Sequence, residues 1–113
     1  MSALVEVSAK VLERRSLKDI QALDTQAERL DQQLNATTAR LVEVAADRQA
    51  LEALFQIGKE SDKLLLPIAH ELAEVKQDEN RLRGKREKLE RELLDVRQKA
   101  ARWRAIRAVL GVK

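Results

Sequence analysis

Cysteine is absent from the 113 residues, which excludes a disulfide scaffold, a thiolate metal site and a cysteine nucleophile. Tyrosine is absent as well, and Phe and Trp occur once each, fewer large side chains than a rounded globular core takes. Three glycines and one proline leave few places for the chain to turn. No apolar run approaches the roughly 18 residues of a membrane-spanning helix. The opening "MSALVEVSAKVLERR" puts its apolar residues before its basic ones, the reverse of a secretory signal. A soluble, cytoplasmic chain is the expectation. The one histidine, His70, lacks the second histidine of H-E-x-x-H, and its neighbouring glutamates do not make a transition-metal site. It reads as an exposed helix residue. With no Ser/His/Asp set and no isolated carboxylate pair, the sequence points to no catalytic residue, no cofactor and no enzyme.

Charged residues make up 36% of the chain and apolar ones 44%, with Ala, Leu, Glu, Arg, Lys and Gln prominent, the profile of long helices or a coiled coil. So charged a chain could be disordered, but its apolar residues keep a strict period, which argues against that. From Ile20, alternating steps of three and four land on Leu23, Ala27, Leu30, Leu34, Thr37, Leu41, Val44, Arg48, Leu51 and Phe55, and nine of these eleven are apolar. A second series starts at Leu65 and runs through Ile68, Leu72, Val75, Glu79, Leu82, Arg86, Leu89, Leu93, Val96, Ala100, Trp103, Arg107 and Leu110. A mean spacing of 3.5 keeps one stripe facing one partner along a supercoil.

The two series do not share a phase, because Phe55 and Leu65 are ten residues apart. A reversal of the chain between them reconciles the two. In an antiparallel pair, a positions of one helix meet d positions of the other. Pairs whose residue numbers sum to 123 satisfy that rule: Phe55 with Ile68, Leu51 with Leu72, Leu41 with Leu82, Leu34 with Leu89, Leu30 with Leu93, Ala27 with Val96, Ile20 with Trp103. A shift by seven also satisfies it, but moves the turn centre from the polar Ser61 and Asp62 to Gly58 or Leu65. The predicted fold is therefore all-α: a long two-helix antiparallel coiled-coil hairpin forming one domain over 1–113. Its first helix covers about 16–57, its turn 58–64 and its second helix about 65–110. Helices of roughly 40–50 residues at 1.5 Å rise would make a rod about 60–75 Å long.

Four polar residues interrupt the stripe. Thr37 faces Arg86, Arg48 faces Val75, and Val44 faces Glu79, with Arg48 and Glu79 one layer apart and able to pair across the helices. Such layers fix register and orientation at a cost in stability; the alternative is a partner-contact or flexible zone. In the same register Glu52 falls near Lys76, Asp31 near Arg97 and Asp24 near Arg104. Before Ile20 the period falters. Leu4, Val5, Val7, Val11 and Leu12 form a separate apolar cluster, and Ser16-Leu17-Lys18-Asp19 resembles a capping box. Either a short N-terminal helix ends near Arg15 or the helix runs on.

The stretch "LFQIGKESDKLLLP" (54–67) carries a Gly-Lys pair, but the earlier glycine of a Walker A loop is Ala53 and its Ser/Thr is Glu60, and no strand precedes it. Gly58 reads instead as a helix stop at C′, with Ser61 or Asp62 capping the next helix. Pro67 fits if that helix begins near Leu65 and otherwise kinks its first turns. Asn35-Ala36-Thr37 matches a glycosylation sequon but lies within the stripe. From Val96 to Lys113 there are six basic residues and no acidic one. Here Arg97, Lys99, Arg102, Trp103, Arg104, Ile106, Arg107 and Leu110 form the candidate partner-binding surface. Its structural reading is Trp103 packed on Ile20 among solvated arginines. Its functional readings are an acidic protein partner, an anionic membrane surface or nucleic-acid phosphates. A single aromatic residue offers little to stack bases on, so an acidic protein leads. A lone hairpin leaves much of each helix wet, so a homodimeric four-helix bundle is a further expectation.

A small, cysteine-free, Arg/Lys-rich helical hairpin whose first helix opens "KVLERRSLKDIQALDTQAERL" resembles the stalk proteins of bacterial type III secretion, of the YscO/FliJ kind. The resemblance implies a non-enzymatic coupling rod. It would stand in the export ATPase ring, much as the coiled-coil stalk of rotary ATP synthases does, and contact the export gate and some chaperones.

Overall fold

The computed structural model describes residues 3–59 and 62–111, with side chains for 6–59 and 65–111. Two helices account for nearly all of it: α1, Ala3–Gly58, of 56 residues, and α2, Asp62–Val109, of 48. They form the expected antiparallel coiled-coil hairpin. All eleven stripe positions from Ile20 to Phe55 are buried or half-buried, as are all fourteen from Leu65 to Leu110. Most positions between them are exposed, so burial follows the 3.5-residue period along both helices.

The chain packs as two units. One joins residues 1–32 to 90–113, the other is residues 33–89. In the first, Ile20, Leu30, Leu93, Val96 and Ala100 are buried, and Trp103 is half-buried. In the second, Leu41, Val44 and Leu82 form one cluster with Val75 packed against it, and Leu72 and Leu89 are also buried. Each such Leu or Val contributes about 1.5–3 kcal/mol by leaving water, and this stripe is what each unit has for a core.

The helix boundaries differ from the sequence reading in three places. First, α1 starts at Ala3 rather than near 16, and no separate N-terminal helix ends at Arg15. Residues 3–19 hold neither Gly nor Pro, so nothing stops the helix there. Ser16 does not cap it either. Its hydroxyl donates to the Glu13 carbonyl at 2.8 Å, the i−3 back-bond of a mid-helix serine. Second, α2 starts at Asp62, not 65, which places Pro67 inside it as the sixth residue. There the missing N–H forfeits one i→i−4 bond.

Third, Gly58 is not a left-handed stop. It is the last residue of α1, and the only glycine with positive φ is Gly111, at 72°. Gly58 is buried against α2: a Cβ on it would lie 3.5 Å from Ile68 Cδ1 and 3.8 Å from Leu65 Cδ1. It thus continues the stripe one step beyond Phe55, opposite Leu65. The left-handed cap belongs to α2, where Gly111 N–H bonds the Ala108 carbonyl at 3.1 Å, the 5→2 bond of a Schellman-type end. The centre of the turn and the caps expected from Ser61 or Asp62 lie outside the described side chains.

Candidate interaction surfaces

In unit 33–89 the polar layers resolve into a chain of alternating charges. Heptad spacing turns Glu79 inward, to 3% exposure, where an unpartnered carboxylate would be costly. Two arginines meet it. Arg48 Nε, from α1, donates to Oε2 at 2.6 Å, and Arg83, one turn along α2, forms an ion pair with Oε1 at 2.5 Å. Arg48 also uses Nη1 on Glu52, at 3.0 Å, and Glu52 Oε1 lies 4.0 Å from Lys76 Nζ. The hydrogen bond to Glu79, then that to Glu52, holds the Arg48 guanidinium above its ordinary pKa despite the desolvation that opposes it. Arg48 is therefore a fixed cation within a structural ion set. Thr37 is buried and Arg86 half-buried on the same stripe.

In the other unit, two of the three flanking pairs read from the sequence are present: Asp31 with Arg97 at 3.5 Å, and Asp24 with Arg104, whose Nη2 reaches both carboxylate oxygens at 2.6 and 2.8 Å. Together with Glu52–Lys76, all three pairs have residue numbers that sum to 128, one shared offset. Arg107 adds a contact that sequence reasoning missed. Its Nη1 donates to the Glu13 carbonyl at 3.0 Å and to Ser16 Oγ at 3.2 Å, and Ser16 is fully buried. The signal was available: a further step of four back from Ile20 lands on Ser16, and 16 and 107 sum to 123.

The C-terminal candidate surface is thus engaged with its own hairpin. Arg97, Arg104 and Arg107 reach α1, and Lys99 bonds Asp95 at 3.1 Å within α2. Trp103, Ile106 and Leu110 are half-buried, and Arg102 is exposed. His70 is exposed, with Nε2 3.3 Å from Glu74 one turn on. Among the described residues, no three His, Asp or Glu side chains gather as a metal set, and no helix is long and apolar enough to cross a membrane.

Large apolar residues are left exposed along the start of α1, at Val7, Val11, Leu12 and Leu17, and near the turn, at Leu54, Ile57 and Leu66. On one side there, a groove of about 430 Å³ runs over Phe55, Leu72, Ala69 and Ala73, closed at one end by Glu52 and Lys76. A shallower one, about 220 Å³, is lined by Ala36, Thr37, Arg40, Leu82 and Lys85. Comparison of the chain with protein-family models, with curated proteins and with solved structures gives no match.

Proposed function

We propose that the protein is a non-enzymatic coiled-coil interaction element, a coupling hairpin of a bacterial type III secretion export apparatus that works in the cytoplasm and contacts the export ATPase and the gate or a chaperone. One observation supports this above the others. A single stripe, fed by both helices, takes up the buried side chains of each unit, while the remaining faces stay open and densely charged. Such a molecule has surface to offer and little interior in which to hold a substrate. The export context rests on the resemblance of its first helix to the stalk proteins. Contact through 97–110 would use Arg102 and the outer edges of Trp103 and Ile106, because the other basic groups there already have partners within the hairpin.

The test is direct binding of the full chain to a purified type III export ATPase, with its gate component as a second bait. Association at low micromolar concentration, with raised ATPase turnover, supports the reading. Its absence at 100 µM with both baits removes it. A second reading, a homodimeric bundle, draws on the exposed Leu54, Ile57 and Leu66. Sedimentation equilibrium decides it, a dimer stable at micromolar concentration favouring self-assembly over coupling. Vesicle and DNA binding at physiological salt, lost on Arg102→Ala, would instead favour a membrane or nucleic-acid role.

A further inference from the structure

One stretch of unit 33–89 does not complement its own charge. Residues 81–88 of α2, "RLRGKREK", carry Arg81, Arg83, Lys85, Arg86 and Lys88 against a single acid, Glu87. The antiparallel register sets residues 35–43 of α1 beside them, "NATTARLVE", and this segment answers with another base, Arg40, and with Glu43. No acid occurs in α1 between Asp31 and Glu43. Arg83 is held by Glu79, Arg81 by Asp78 and Arg40 by Glu43, the last two as exposed pairs within one helix. Lys85 and Lys88 reach no carboxylate among the described residues. Arg81, Lys85 and Lys88 stand at i, i+4 and i+7, so they form one stripe on the helix surface.

The wall opposite is low. Ala36 is exposed and small, and the 220 Å³ groove runs between Ala36 and Thr37 on α1 and Leu82 and Lys85 on α2, with Arg40 at its rim. Within the basic stripe sits Gly84, in the interior of a helix that glycine weakens. Nothing lies within 4 Å of where its Cβ would be, and its φ is not positive, so neither packing nor backbone geometry in this chain calls for glycine there. A bare backbone at an exposed helix position lets another chain come close.

From these observations we infer that residues 81–88 and 36–40 form a docking surface for an acidic helix of a partner protein, its carboxylates on Lys85 and Lys88, its backbone seated against Gly84, and Arg40 and Arg81 giving up their exposed partners Glu43 and Asp78 to it. The inference rests on the interaction role proposed above. Charge complementarity selects the occupant. Carboxylates spaced one helical turn apart match the stripe and can take bidentate bonds from the two arginines. Nucleic acid fits less well. The chain's Phe and Trp both lie outside this surface, so bases find no stacking platform. Residues 33–89 also carry ten basic and ten acidic side chains, hence no net field to draw in a polyphosphate.

The test uses the full chain, ¹⁵N-labelled, titrated with a synthetic helical peptide bearing Glu at i, i+4 and i+7 on an alanine face; a Gln-for-Glu peptide and a 20-base-pair DNA serve as comparisons. The expected result is amide shifts confined to 36–40 and 81–88, weakened at least tenfold by Lys85→Glu with Lys88→Glu and at least fivefold by Gly84→Leu. Gly84→Leu keeps or raises the melting temperature, so its loss of binding is not a folding defect. Shifts clustered at 97–110 would overturn this surface while leaving an interaction role in place, and an absence of shifts at millimolar peptide would overturn it outright. Indifference to Gly84→Leu, or tighter binding to the DNA than to the Glu peptide, would also overturn it.

Discussion

The two packing units carry charge in opposite ways. Residues 1–32 with 90–113 hold twelve basic and nine acidic side chains, the whole of the chain's +3, whereas residues 33–89 are balanced. Yet the unit with the excess turns three of its eight arginines on itself, Arg97 on Asp31, Arg104 on Asp24 and Arg107 on Glu13 and Ser16. The neutral unit buries one acid between two arginines and leaves a basic band outside. Net charge therefore does not locate the charge available to a partner. What locates it is the register, because register decides which cation finds an acid across the helix pair.

The largest effects should come from what the units share. Leu93→Ala in one and Leu82→Ala in the other each remove a buried leucine from a one-stripe core. A loss of about 2–4 kcal/mol is expected for each in urea unfolding. Near-equal losses with parallel transitions would show both units melting together. A Leu82→Ala loss below 1 kcal/mol would break the comparison by showing that polar layers rather than leucines hold residues 33–89.

Next in size is the buried acid. Glu79→Leu removes the partner that Arg48 and Arg83 share, and a loss of about 1–3 kcal/mol is expected. Arg48 keeps Glu52, which holds the loss below that of an orphaned interior charge. Adding Arg48→Leu should recover stability to the parent's level or above, since apolar residues commonly replace buried ion pairs without loss. The register is then the informative readout. A disulfide between cysteines at 34 and 89 should form efficiently in the parent and less selectively in the double variant. Unchanged selectivity would deny the Arg48–Glu79 layer any register-setting part.

How legible this was follows from the same distinction. The hairpin, its register and the three cross-helix pairs could be read because a 3.5-residue repeat and complementary charges are both written linearly along the chain. What escaped was set by the absence of an expected side chain or by a polar one in an apolar slot. Gly58 reads as a stop in sequence, because glycine is the common C′ residue, and only the neighbouring Leu65 and Ile68 show that it is a contact. Ser16 looked like a cap because serine usually is one; its burial depends on Arg107, ninety-one residues away. Asp and Arg at matching offsets were found, whereas Lys85 and Lys88, which reach no carboxylate among the described residues, leave no pair to find.

The glycines sharpen this point at about 0.5–1 kcal/mol. Gly84→Ala should stabilise residues 33–89 by that amount, since the position is helical and open. Gly58→Ala should be neutral or stabilising, its Cβ in ordinary contact with Leu65 and Ile68. A left-handed stop at Gly58 would instead lose about 1 kcal/mol, so thermal unfolding of this one variant separates the two readings.

The smallest expected effect tests the first unit's self-complementation. Asp24 and Arg104 form the best-aligned of the cross-helix pairs, yet both side chains are about half exposed. Exposed pairs contribute about 0–1 kcal/mol, and salt screens them over a Debye length of about 8 Å at physiological ionic strength. Arg104→Ala should therefore lower stability by at most that much at low salt, with most of the difference gone by about 1 M NaCl. Reversing the pair, Asp24→Arg with Arg104→Asp, should restore what either single reversal loses, because the offset that brings the two together is a property of the backbone register. A double reversal no better than the singles would mean that this unit's arginines sit beside α1 for their hydrocarbon stems rather than their charge. Its +3 would then be as open to a partner as the basic band of residues 81–88.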